Sequence, residues 1–282
     1  MAELCSCGGT EEMKIVVTGA LGHIGSALIR YLPVEFPYAE IIMIDNLYTQ
    51  RYCSLFNLPK EAYKFIQADV RTCEIPECDV VVHLAGYTEP HIDLDWSHNY
   101  DATKNVVMQH ERIIFPSTLS VLPSPQTAYA EMKLKEENLV KSEPFSTILR
   151  LGNLFGPSPG MRFHTVVSKF CWQAVMGQPL TVWRTAHYQI RPYLDLNDIC
   201  RAICFAINNK CLGTYSLVTQ NATIRDIIGH IEEHIKTTME FVDSPDMNSI
   251  SENISAIDIE KLGFTFVGNL QQGIANTIKL LR

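Results

Sequence analysis

Nowhere in this sequence do apolar residues run for the roughly 18 to 20 positions that a membrane-crossing helix needs. Its start also lacks the apolar core of a signal peptide, which predicts a cytoplasmic protein without membrane contact. Basic charge is scarce: 23 Lys and Arg stand against 31 Asp and Glu, for a formal net charge of −8. A nucleic-acid backbone is held by clustered cations, so this balance argues against a nucleic-acid partner. It leaves room for one phosphorylated small ligand, which needs only one or two local cations. Cysteines at 5, 7, 53, 73, 78, 171, 200, 204 and 211 are odd in number and lack paired spacing. That excludes a secreted disulfide scaffold and predicts free thiols. Cys5 and Cys7 have no nearby histidine or second close cysteine pair, so no metal is expected there. No repeat or low-complexity tract is visible.

What is present is a chain of 282 residues, 46% hydrophobic, long enough for one large core with a smaller lobe. Residues 1–12 are polar and unpatterned, and read as a tail. The organising stretch follows, KIVVTGALGHIG at 14–25. An apolar run ends in Thr18, glycines fall at 19, 22 and 25, and Ser26 to Ile29 resume with helical spacing: a buried strand turning into a helix that Pro33 should stop. The helix start offers unpaired N–H groups to a pyrophosphate, and glycine lets that phosphate approach bare backbone. About 20 residues on, Ile41 to Ile44 end in Asp45, where an acid binds adenosine ribose hydroxyls. That carboxylate repels a 2′-phosphate, which favours NAD over NADP.

Asp69 follows the short strand 65–67, in the crevice where adenine rests. Val80 to Leu84 is a fully apolar strand leading into Ala85 and Gly86, small enough for a cofactor to pass. His83 on that strand reads as a satisfied core histidine. Ile113 to Phe115 forms the next strand, ending at Ser117 and Thr118. Tyr129 and Lys133 then stand four apart at the start of a helix expected over 128–140, on one face. A cation beside a phenol favours the phenolate, which makes a general base. Alone, the pair is as readily a surface feature; its place after the glycine turn, the acid and the strand-end hydroxyl selects the catalytic reading. His230 and His234 have zinc-binding spacing without a third ligand, and read as exposed polar residues.

Together these motifs resemble an extended short-chain dehydrogenase/reductase of the NAD-dependent epimerase/dehydratase type, acting on nucleotide sugars. The resemblance rests on TGALGHIG, IDNL at 44–47, ADV at 68–70, HLAG at 83–86, STLSV at 117–121, YAEMK at 129–133, LRLGNLFGP at 149–157 and RPYLDLNDI at 191–199. It implies an α/β fold, a Rossmann-type doubly wound parallel sheet with a smaller C-terminal α/β substrate lobe. The implied NAD-binding domain is 13–157, with 188–218 returning to it; 158–187 and 219–282 form the lobe. Within that frame Leu149 to Phe155 is the sixth strand and its loop, and 162–176 is helical. The resemblance implies that Gly19, Gly22, His23, Ile24 and Gly25 hold the pyrophosphate, and that Asp45 with Asn46 holds the ribose. Asp69 and Val70 are assigned the adenine, and Leu84, Ala85 and Gly86 line the path of the cofactor. Thr118 hydrogen-bonds the sugar hydroxyl, Tyr129 is the acid/base, and Lys133 binds nicotinamide ribose. Asn153 and Arg191 contact the substrate's diphosphate. A homodimer through helices near 97–109 and 128–141 is implied as well.

The chain departs from that pattern in two places. Tyr129 stands eleven residues after Thr118, which leaves a shorter active-site loop than extended members carry. Dehydratases of the family place Asp-Glu after the catalytic threonine, and here Leu119 and Ser120 stand instead. Elimination of water needs another acid and base. The expectation is therefore a 4-epimerase working by transient oxidation to a 4-keto sugar. The alternatives are a nucleotide-sugar reductase or dehydrogenase, and a dinucleotide-binding scaffold without turnover.

Overall fold

The computed structural model describes residues 13–58, 63–88, 95–243 and 253–282; the tail expected over 1–12 lies outside them, with Cys5 and Cys7. The first half of the chain runs β1 (Lys14–Thr18), α1 (His23–Glu35), β2 (Glu40–Asp45), β3 (Tyr63–Gln67), β4 (Val80–His83), α2 (Ser97–Val107), β5 (Ile113–Thr118), α3 (Ala128–Val140) and β6 (Thr147–Leu151). With β10 (Gly213–Leu217) the strands form a seven-stranded sheet in the order β10-β6-β5-β4-β1-β2-β3, parallel at every pairing. The fold is Rossmann-type.

Its central strands β1, β2 and β4 carry buried apolar runs because both faces of the sheet are covered there. Ile15 and Val17 of β1 pack with Leu28, Ile29 and Leu32 of α1 and with Ile199 and Ile203 of α5 (Leu196–Asn209). Val16, between them, faces Ala102 and Val106 of α2 and Val140 of α3. All three β1 residues have no exposed surface, and burying each contributes about 1.5–3 kcal/mol.

Between β6 and β10, and again after β10, the chain builds the smaller lobe. β7 (Asn153–Phe155), β9 (Ile190–Asp195) and β11 (Gln220–Thr223) form a three-stranded sheet, and β8 (Leu180–Trp183) pairs with β12 (Met239–Val242). Around them Phe155, Phe170, Val182, Ile227 and Ile274 join in a separate core, drawn in part from α4 (Val166–Val175), α6 (Ile224–Glu232) and α8 (Leu270–Leu281). A short helix, α7 (Ile257–Glu260), packs near β10. Within the returning segment 188–218, α5 and β10 belong to the large sheet's layers, while β9 lies in the small sheet.

Four local elements differ from the sequence expectation. α1 runs through Pro33 to Glu35. Proline removes the N–H that would bond the Ile29 carbonyl, and the Tyr63 hydroxyl donates to that carbonyl instead, at 2.7 Å. That same contact goes with β3 starting at Tyr63, two residues before the expected 65. The stretch expected as the sixth strand and its loop holds two strands, because β6 pairs in the large sheet and β7 with β9 in the small one; between them Gly152 passes so close to Pro192 that a Cβ would meet its carbonyl oxygen at 3.0 Å. The helix expected from 162 begins at Val166, after Thr165.

Candidate active site

In the large sheet the strand order reverses between β1 and β4, so Thr18 and His83 border a crevice at the carboxyl ends of the strands. Such a reversal is where open α/β sheets bind ligands. Gly19 turns the chain there with φ +63°, and a Cβ on it would sit 2.6 Å from the Ala85 nitrogen. A Cβ on Gly25 would lie 2.4 Å from the Gly19 carbonyl oxygen, so only glycine lets α1 pack on the turn. Gly22 precedes α1 in extended backbone, and no side chain caps the helix start. The N–H groups of that start, His23 and Ile24 among them, are therefore left for an anion.

Asp45 leaves β2 beside this turn. Its carboxylate accepts from the Leu21 N–H at 3.0 Å and the Leu47 N–H at 2.8 Å, which fixes its direction and leaves lone pairs free for ribose hydroxyls. Asp69 is gripped by the Arg71 guanidinium at 2.7 to 3.2 Å; the hydrogen bonds from Arg71 hold its carboxyl below the usual range. A cavity of about 130 Å³ joins Gly19, Gly22, Asp45, Asp69, Ala85 and Tyr87, with Asn46, Val70, Leu84 and Gly86 also lining it. Bare glycine backbone, an uncapped helix start and an oriented carboxylate on one cavity fit a dinucleotide. Tyr48 and Tyr87, ring centroids 5.0 Å apart, close one wall, a feature hidden in the sequence by the irregular connection after Asp45.

His23 behaves differently from a phosphate ligand. Its side chain is buried and its Nε2 lies 2.8 Å from the Gly156 carbonyl oxygen, which can only accept, so Nε2 carries the proton. Burial pushes its pKa down to about 4 and keeps the ring neutral. Its contribution to the turn is thus backbone rather than charge.

The residues expected to react lie on β5 and α3. Thr118 ends β5, half-buried, and its Oγ1 accepts from the Ser120 N–H at 3.2 Å, capping a short turn of helix at Leu119–Val121. Thr127 caps α3 by accepting from the Ala130 N–H at 3.1 Å. Tyr129 thereby sits in the first turn of α3, half-buried, with its ring 5.3 Å from that of Trp96. Among the described residues no hydrogen bond engages its hydroxyl. Lys133, one turn on, is 7% exposed; its ammonium lies 4.2 Å over the Phe115 ring of β5 and 3.4 Å from Glu136 Oε2. Thr118 and the Lys133 ammonium thus border the same strand, three residues apart along it. Glu136 was not singled out from sequence, although its spacing from Lys133 puts both on one helix face.

Two further groups frame the crevice. Asn99 of α2 is buried and clasps Tyr87, accepting from its N–H at 2.7 Å and donating to its carbonyl at 2.9 Å, which sets the loop after Gly86. In the smaller lobe Asn153 donates to the Pro192 carbonyl at 3.2 Å, and Arg191 donates to Gln189 Oε1 at 2.9 Å. Both belong to the β7–β9 pair. His230 meets Glu233 at 3.1 Å.

The trifunctional UDP-glucose 4,6-dehydratase/UDP-4-keto-6-deoxy-D-glucose 3,5-epimerase/UDP-4-keto-L-rhamnose-reductase of Arabidopsis thaliana is 24% identical to this chain. The alignment takes in 94% of the chain and 47% of that protein, so the chain spans about half the length of such relatives. A dTDP-D-glucose 4,6-dehydratase of Bos taurus is 26% identical, over 95% of this chain and 88% of its own length. The crystal structure of UDP-glucuronic acid 4-epimerase from Bacillus cereus, in complex with UDP-glucuronic acid and NAD, matches with a TM-score of 0.84. Identity there is 22%, with 95% of this chain and 99% of that one covered, which speaks for the fold. No helix among the described residues is long and apolar enough to cross a membrane. The sequence profile of the NAD dependent epimerase/dehydratase family matches residues 15–114 and 109–216, well over half of the chain, which therefore belongs to that family and takes NAD as its cofactor.

Proposed function

We propose that this chain is a nucleotide-sugar 4-epimerase. The observation that carries the reading is the turn after Thr118. Leu119 is 4% exposed and packed in the core, and Ser120 is its neighbour in the short helical turn, so no carboxyl pair stands where elimination of water would need one. Bound NAD supplies a reversible hydride acceptor, and epimerisation at C4 needs little beyond that and one proton-transfer group. Tyr129 fills this role: in its deprotonated form the phenol oxygen takes the proton of the sugar's C4 hydroxyl and returns it once the carbon has changed face. Thr118 orients that hydroxyl, and Trp96 shields one side of the phenol. Asn153 and Arg191 hold the diphosphate, an amide and a guanidinium being suited to phosphate oxygens. The likeness to a UDP-glucuronic acid 4-epimerase supports the same choice of substrate class.

The test is incubation with UDP-glucuronic acid and UDP-glucose, with chromatographic separation of C4 epimers and simultaneous reading of nicotinamide absorbance. Epimer should form without net cofactor change. Net oxidation or reduction of added cofactor would identify a dehydrogenase or reductase instead, and a 4-keto-6-deoxy product would identify a dehydratase. Tyr129→Phe should lower turnover by about 10²- to 10⁴-fold while NAD binding persists.

A further inference from the structure

A line of buried polar side chains runs beneath the crevice from β1 to α3. Thr18 Oγ1 lies 2.7 Å from His83 Nδ1, His83 Nε2 lies 3.1 Å from Thr103 Oγ1, and the Thr103 hydroxyl donates to Glu136 Oε1 at 2.6 Å. Glu136 Oε2 meets the Lys133 ammonium at 3.4 Å. Thr18, Thr103 and Glu136 have no exposed surface and His83 has 1%.

The direction of every bond in the line follows from proton counting. The Thr103 hydroxyl has one hydrogen, spent on Glu136, so it accepts from His83, whose Nε2 must carry the proton. His83 Nδ1 then accepts from the Thr18 hydroxyl, and Thr18 Oγ1 in turn accepts from the Ala85 N–H at 3.2 Å. Burial, with the Lys133 charge adding to it, pushes the His83 pKa down to about 3, which keeps the ring neutral as this pattern requires. All donors point toward the Glu136 carboxylate. The line starts at a backbone amide, which gives up no proton, so it serves for orientation and not for proton transport. It also begins at Ala85, on the cofactor cavity, and ends at the lysine of the Tyr-Lys pair.

We propose that Glu136 is a positioning residue: its carboxylate, aimed by the Thr18–His83–Thr103 line, holds the Lys133 ammonium in place for the bound cofactor. Without it the ammonium would keep only the face of the Phe115 ring as a partner and would swing away or draw in water. The proposal rests on the reading of Lys133 as a cofactor-contacting residue.

The test is calorimetric titration of NAD into the full chain and three variants: Glu136→Gln, Lys133→Met and the double substitution. Glutamine keeps the size and an oxygen for the Thr103 hydroxyl, and removes only the charge. Glu136→Gln should weaken NAD binding about tenfold, and the double variant should bind no more weakly than Lys133→Met alone, because the glutamate acts through the lysine. Glu136→Asp should recover part of the loss, and melting curves without NAD separate lost folding from lost binding. Undiminished NAD affinity in Glu136→Gln overturns the proposal, and so do losses that add in the double variant. An unsubstituted chain that binds no NAD overturns it together with the cofactor site. Coupled losses of NAD affinity in a chain that forms no epimer support the proposal and sink the epimerase reading alone.

Discussion

Glu136 and Glu137 are adjacent on α3 and both are fully buried, yet they anchor different things. Successive helical positions are about 100° apart, so the two carboxylates leave the helix toward different neighbours. Glu137 meets the Arg150 guanidinium of β6 in a two-bond fork, at 2.9 and 2.7 Å, with Lys141 at 3.2 Å on its second oxygen. Glu136 meets one ammonium at a longer 3.4 Å and one hydroxyl from α2. The fork is rigid and its guanidinium is always charged, which suits a clamp between helix and sheet. A single ammonium on a flexible stem suits a group that must also reach a ligand. One pair clamps the fold, and the other, on the proposal above, serves the site.

The largest break in this comparison should come from Glu137→Ala, which leaves the Arg150 charge without its partner at 17% side-chain exposure. Denaturant unfolding should show a loss of about 3–5 kcal/mol, while NAD affinity of the molecules that remain folded should hold. The paired change Glu136→Gln with Lys133→Met removes both charges of the other pair and should cost under about 1.5 kcal/mol in the same assay.

The pH dependence of stability should separate the two acids as well. Burial pushes the Glu137 carboxyl up, but the bonds from Arg150, with help from Ser117 and Lys141, outweigh it and hold the net value below the usual range. Its stabilisation is therefore complete above the unfolded value of about 4.3 and lost as pH falls through the lower folded value. The difference in stability between the native chain and Glu137→Gln should be full at pH 7 and should shrink steadily as pH falls below about 4.

The smallest effect sharpens the comparison with an acid that lacks a cation. Asp195 caps α5 by accepting from the Asn197 N–H at 2.7 Å, and burial, aided by the charge of Asp198, pushes its pKa up to about 6. A raised folded value costs stability above pH 6 and relieves that cost as pH falls through 6. Asp195→Asn, which keeps a capping oxygen, should raise stability by about 1 kcal/mol at pH 8 and leave it unchanged at pH 4.

Much of the architecture could be read before any coordinates. The strand, glycine turn and helix up to about residue 32 and the helix at 128–140 are local patterns, set by apolar period and turn chemistry. The Tyr63 hydroxyl that lets α1 run past Pro33 comes from 34 residues beyond the carbonyl it serves, and no local rule carries it. The small sheet is not legible in the sequence for a related reason: β7 is three residues long and gains its identity only from pairing with β9.

For the candidate site the same division holds. Residue order alone placed the glycines, Asp45, Thr118, Tyr129 and Lys133 at strand ends and helix starts, because those positions follow from periodicity and turn chemistry. It also placed His83 in the core. The partners of His83, at 65 and 20 residues' separation, and the burial that turns the spacing of Lys133 and Glu136 into a fixed ion pair, were decided by packing. A carboxylate three residues after a lysine is an exposed pair worth a few tenths of a kcal/mol on an isolated helix. Only when β4, β5 and α2 close over it does water leave, and only then does the choice of partner become binding on both charges.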